Sequence, residues 1–176
     1  AITASQEAMR GVPAFALVRP PGHHAGPDRY WGFCFFNNIA VAISKLIAEG
    51  SVQSVLLLDL DLHRGDGSEN IFRQNQAVSV ANISARTRNA YLDSLERELA
   101  DCGEVDLLAV SAGFDTYVRD WGGILETDDY RRAGMLIRTA TERLCEGRCF
   151  AVLEGGYYLP DLGINVLAFC EALAGE

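Results

Sequence analysis

Short runs of consecutive apolar residues punctuate this chain, and segments with helical spacing lie between them. Val55 to Leu58 and Phe150 to Leu153 carry no internal polar break, and Val105 to Val110 is interrupted only by Asp106 near its start, the pattern of strands buried on both faces. Ala14 to Val18, stopped by Pro20 and Pro21, and Ala77 to Ile83 read as two further strands. Between them, Asn37 to Glu49 places apolar residues at 39, 40, 43, 46 and 47, the helical period, with Gly50 at the C′ position. Further helices are expected at Ala1 to Arg10 with Gly11 as the stop, Gly67 to Arg73, Tyr91 to Ala100 and Pro160 to Leu173. A longer one runs from a Thr127 cap to Leu144, with Asp128 and Asp129 favourable at its N-terminus. The alternation predicts an α/β fold: a parallel sheet with helices on both faces. No repeat, low-complexity tract or linker divides the chain, so residues 1–176 are expected to form a single domain.

Four of these strands run straight into polar, Gly-rich clusters. They are Arg19-Pro-Pro-Gly-His-His24, Asp59-Leu-Asp-Leu-His-Arg-Gly-Asp66, Ser111-Ala-Gly-Phe-Asp115 and Glu154-Gly-Gly-Tyr-Tyr158. In a parallel sheet all four lie at the carboxyl edge, where ligands bind. Asp59, Asp61 and His63 alternate along an extended segment and so can share one face. Carboxylate and imidazole at that spacing suit Zn²⁺, Fe²⁺ or Mn²⁺; a catalytic site takes three protein ligands and leaves a position open. Asp61 and His63 supply two, and Asp115, after a Gly that permits a tight turn, is the natural third. Taken singly, a D-x-D pair is often a cap or a turn, and adjacent histidines can decorate a loop. All three histidines of the protein nevertheless fall inside two of the clusters.

His23 and His24 are too close together to join that ligand set, which leaves them for acid–base work, each oriented by a carboxylate; Asp59 and Asp66 are available. Tyr157, in a Gly-Gly turn, can donate its hydroxyl to a developing oxyanion.

Composition narrows the partners. Hydrophobic residues make up 49% and charged residues 22%, ordinary for a chain that builds a core, and the formal net charge of −9 argues against nucleic acid as a direct partner. The five cysteines contain no C-x-x-C pair, which points to reduced thiols and a cytoplasmic location. No apolar run approaches the roughly 18 residues of a membrane span, so no membrane partner is expected. The oligomeric state is not legible.

Together, RPPGHHA at 19–25, GFCFFNN at 32–38, DLDLHRGDG at 59–67, SAGFD at 111–115 and LEGGY at 153–157 resemble the histone deacetylase superfamily. That superfamily includes acetylpolyamine amidohydrolases and acetoin-utilization-type proteins and shares the three-layer arginase fold. The resemblance implies zinc ligation by Asp61, His63 and Asp115, with Fe²⁺ as an alternative. It implies tandem catalytic histidines, His23 with Asp59 and His24 with Asp66, a transition-state Tyr157, and a tunnel wall at Gly32 and Phe33. A structural K⁺ is implied near the backbone of Asp59, Asp61 and His63, with Ser84 as the candidate hydroxyl. The implied substrate is an acetylated lysine peptide or a small acetylated amine.

Departures from the family pattern are Arg64 where many relatives carry His, and Trp121 where Pro is usual; Glu154 is nearer the class II and bacterial branch. Family catalytic domains are also longer. An N-terminal part and a segment near 85–90 are expected to be absent here, since only 30 residues separate Ser84 from Asp115. An arginase-like di-manganese enzyme would need further Asp and His ligands, and a remnant that binds metal without turnover is the alternative to a hydrolase.

Overall fold

The computed structural model describes residues 1–176 as six helices and five strands in the order α1 (Ile2–Ala8), β1 (Ala14–Ala16), α2 (Asn38–Ala48), β2 (Val55–Asp59), α3 (Asp66–Phe72), β3 (Val78–Asn82), α4 (Arg88–Asp101), β4 (Leu107–Ala112), α5 (Thr127–Cys145), β5 (Cys149–Leu153) and α6 (Leu159–Ala174). All strand pairings are parallel, in the order β1-β5-β4-β2-β3.

The unbroken apolar runs are explained by burial on both sides. Leu56 and Leu58 of β2 join Leu108, Val110 and Ala112 of β4 in a core closed by α4, α5 and α6. Val55 and Leu57 join Leu107, Ala109, Phe150 and Val152 in a second core under α1, α2 and Phe72 of α3. Successive side chains point to opposite faces, so one strand feeds two cores and the molecule has three layers.

Helix ends follow local chemistry. Asn37 Oδ1 accepts from the Ala40 N–H at the start of α2, and Gly50 stops that helix at φ +70°. α4 starts three residues earlier than the apolar period suggests because Thr87 caps it. The expected Thr127 cap is corrected: Glu126 is the N-cap and forms a reciprocal capping box with Asp129, while Thr127 is already helical and bonds Asn165. No helix is long and apolar enough to cross a membrane.

The strand order sets the site. The β2–β3 crossover, α3, lies on the α1–α2 face, whereas the β4–β5 crossover, α5, lies on the other. β2 and β4 are neighbours, so the crevice between their carboxyl ends is a topological switch point. At the opposite edge, Asp106 Oδ2 accepts from Gln53 N (2.7 Å), Ser54 N (2.9 Å) and Ser54 Oγ (3.2 Å), tying the entry of β2 to that of β4. These donors, the Gln53 N–H foremost, hold the Asp106 carboxyl below its ordinary value. A depressed folded-state value stabilises the fold above the unfolded value, about 3.9, and that contribution is lost as pH falls below it. Asp106→Asn is therefore expected to cost about 1 kcal/mol at pH 7, discounted for solvent screening. In urea melts of both proteins, the difference should shrink below about pH 4; a difference independent of pH would refute the assignment.

Candidate active site

The four polar clusters follow β1, β5, β4 and β2, which are consecutive in the sheet; edge strand β3 carries none. Asp61 and His63 follow β2, Asp115 follows β4, and their ligand atoms lie within 4.8 Å of one another across the switch point. Backbone groups pin the carboxylates. Gly155 N donates to Asp61 Oδ2 (2.8 Å), His63 N to Asp61 Oδ1 (2.9 Å) and Leu62 N to Asp115 Oδ1 (3.0 Å). Gly113 and Gly155 are required by contact, since a Cβ at either would meet Asp61 Oδ2 at 2.4 and 2.5 Å.

The donor set fits a divalent cation. Asp115 Oδ2 is fully buried and accepts no hydrogen bond, although His63 Nδ1 lies 2.9 Å away. Burial, then the Asp61 charge, pushes the Asp115 carboxyl up to about 7. Asp61 moves the other way: its burial is outweighed by the His63 hydrogen bond and the His23 charge. Two buried carboxylates, one with an oxygen that accepts no hydrogen bond, beside an imidazole make a donor set that a cation completes.

Two His–Asp pairs flank this cluster. His23 Nδ1 lies 3.0 Å from Asp59 Oδ2, with both side chains almost fully buried. His24 Nδ1 lies 2.7 Å from Asp66 Oδ1, but the Asp66 side chain is 37% exposed. Their environments push the two imidazoles apart. Burial alone would lower His23, yet the Asp59 charge and hydrogen bond, with Asp61 and Glu154, outweigh it and raise it to about 10. Burial and the adjacent His23 charge hold His24 below its ordinary value. The surroundings thus favour the protonated form of His23 and the neutral form of His24.

The Gly32 and Phe33 backbones are both left-handed, at φ +58° and +65°. A Cβ on Gly32 would meet the His24 ring at 2.4 Å, so this turn lies directly on the imidazole. Phe33 is exposed and faces the half-buried Tyr157, ring centroids 6.0 Å apart. Tyr157 stacks on Trp121 at 4.1 Å, and Trp121 meets His63 edge-on. Asp120 Oδ2 takes the N–H groups of Tyr157 (2.6 Å) and Tyr158 (2.7 Å), while Arg19 donates to the carbonyls of Glu154 and Gly156. Arg64 points away, exposed, and pairs with Glu69.

Ser84 is the hydroxyl expected at a potassium site. That residue is exposed, beyond the end of β3, with no hydrogen bond to the 59–63 stretch. Register pairs Asp59 with Asn82, and it is the Asn82 side chain that turns inward, accepting from Gly65 N at 2.8 Å.

Three residues here escaped sequence reasoning in these roles. Glu154, wholly buried, accepts from Gly22 N (2.6 Å) and His23 N (3.0 Å) and thereby brackets the histidine turn to β5. Trp31 stacks on His24, and Asp120 orients the Tyr157 turn. Their only signal was position within or beside the clusters.

The histone deacetylase domain model matches residues 1–104. The chain is 31% identical to an acetylpolyamine amidohydrolase of Mycoplana ramosa, over 92% of this chain and 57% of that protein. It is 32% identical to a probable deacetylase of Methanothermobacter thermautotrophicus, over all of this chain and 63% of that protein. The crystal structure of the HDA15 HD domain superimposes with a TM-score of 0.86 at 28% identity, covering 99% of this chain and 60% of that one. The chain thus spans between half and two thirds of these relatives. The two alignments run over 201 and 213 positions, more than the 176 residues present, so the relatives carry residues inside the matched region that this chain lacks.

Proposed function

The chain belongs to the histone deacetylase family, and from that premise we propose that its site hydrolyses an N-acetyl amide, of acetyl-lysine or of a small acetylated amine such as an acetylpolyamine, releasing acetate. Asp61, His63 and Asp115 would hold Zn²⁺, with Fe²⁺ able to use the same donors. When bound, the metal supplies Lewis acidity toward the acetyl carbonyl and acidifies water.

The rest is done by this chain's own side chains. His24, neutral and with Nδ1 committed to Asp66, keeps Nε2 free to take a proton from the attacking water and then return it to the leaving amine. His23, held as a cation by Asp59, adds fixed positive charge beside the developing oxyanion. Tyr157 donates its hydroxyl to that oxygen; burial, then the nearby Asp61 and Asp115 charges, keep its proton on. Gly32 and Phe33 provide a wall for the acyl chain.

The observation that carries this reading is the hydrogen-bonded His24–Asp66 pair set beside a three-ligand cluster with a buried, unbonded carboxylate oxygen. The test is acetate release from an acetyl-lysine peptide and from N-acetylputrescine by the apo chain, the zinc-loaded chain and the chelator-treated chain. Turnover restored by zinc supports the proposal. Stoichiometric zinc with no acetate from either substrate would make the site a metal-binding one only.

A further inference from the structure

The two His–Asp pairs are built differently. Around His23 the fold itself seals the pair: Asp59 is 1% exposed, and a Cβ on Gly65 would strike its Oδ2 at 2.1 Å. The Asp66 side chain is 37% exposed on a loop-to-helix junction and has no such enclosure. An exposed carboxylate can rotate and hydrate, and a base that depends on it then loses its ring orientation.

One side chain closes the gap. Trp31 Nε1 donates to both oxygens of Asp66, at 3.2 and 3.1 Å. The same indole lies over the His24 ring, centroids 3.9 Å apart and planes 31° from parallel. Its loop cannot drift away easily, because Cys34 N donates to the Trp31 carbonyl at 2.9 Å and the next residue, Gly32, is pressed against His24. Trp31 thus touches both members of the pair at once. Its N–H fixes the carboxylate plane, and its π face covers His24 and attracts the imidazolium that exists only after proton transfer.

We propose that Trp31 is a positioning residue that locks the His24–Asp66 pair in its working geometry, an inference that rests on the hydrolase reading for its kinetic consequence and on the indole contacts for its structural one.

Trp31→Phe keeps a ring over His24 and removes the N–H; Trp31→Leu removes both. Measured on the zinc-loaded chain, kcat is expected to fall about 10- to 100-fold in Trp31→Leu and by less in Trp31→Phe, with KM and zinc content unchanged. A raised KM at constant kcat would overturn the proposal and make Trp31 a wall for substrate. The second readout needs no turnover. The protein has two tryptophans, hence two indole N–H resonances, assigned with Trp31→Phe. In Asp66→Ala the Trp31 resonance should shift and its exchange with solvent accelerate while that of Trp121 stays put. An unmoved Trp31 resonance overturns the proposal. An inert parent chain removes the hydrolase reading and leaves the indole measurement to decide whether Trp31 holds Asp66.

Discussion

Replacing His24 with Ala is expected to lower kcat by about 10²- to 10⁴-fold while leaving the fold and zinc content intact. His24 lies outside the ligand set, and its partner Asp66 is exposed enough for water to take up the freed acceptor. The neighbouring substitution should behave differently. His23→Ala strands Asp59, a carboxylate 1% exposed whose counter-charge is His23, and breaking such a buried pair costs about 3–5 kcal/mol. Two adjacent, identical side chains should therefore differ: His24→Ala is a defect of rate alone, whereas His23→Ala adds a defect of stability to its loss of rate. Acetate release, metal analysis and a denaturation curve on each variant check this. Turnover in His24→Ala equal to that of the parent would remove His24 from the chemistry, and a parent-like midpoint for His23→Ala would remove the ion pair from the fold's support.

Gly155→Ala is expected to weaken zinc binding by at least about 100-fold, at the upper end of what perturbing the partners of metal ligands costs. The added methyl would stand 2.5 Å from Asp61 Oδ2 and 2.9 Å from the Asp115 carboxylate, and neither group has room to retreat. Asp61 Oδ2 is held by the N–H of Gly155 itself, and both carboxylates are buried. Gly155 sits beyond the end of β5, so the sheet should survive and the loss should show as metal affinity. Gly113→Ala makes the contrast: its methyl would meet the Asp61 Cα at 2.4 Å, a backbone collision that should cost stability as well. Competition with a chromophoric chelator reads the affinity, and parent-like binding by Gly155→Ala would mean that the ligand cluster tolerates displacement.

The residues that gather at the crevice were legible in the sequence by type, because histidines, aspartates and a Gly-flanked tyrosine after apolar runs announce themselves. Those that work by location were not. Glu154 brackets a histidine 131 residues away, and Trp31 reads as one more aromatic in a loop until its indole is seen on Asp66. The Thr127 expectation failed for the same reason. A hydroxyl at a plausible spacing carries no information about whether the backbone has already turned helical.

Local chemistry written in the sequence determined the list of elements and the parallel sense of the sheet. Apolar runs of strand length, buried on both faces, demand helical crossovers, and the polar clusters then have to lie at the carboxyl edge. Only the tertiary structure decided the order β1-β5-β4-β2-β3. That order makes β2 and β4 neighbours with crossovers on opposite faces, opening the crevice that brings Asp61 and His63 to Asp115. Strand order is set by how whole helices pack over the sheet, a balance summed over two cores, and no short stretch of sequence contains it.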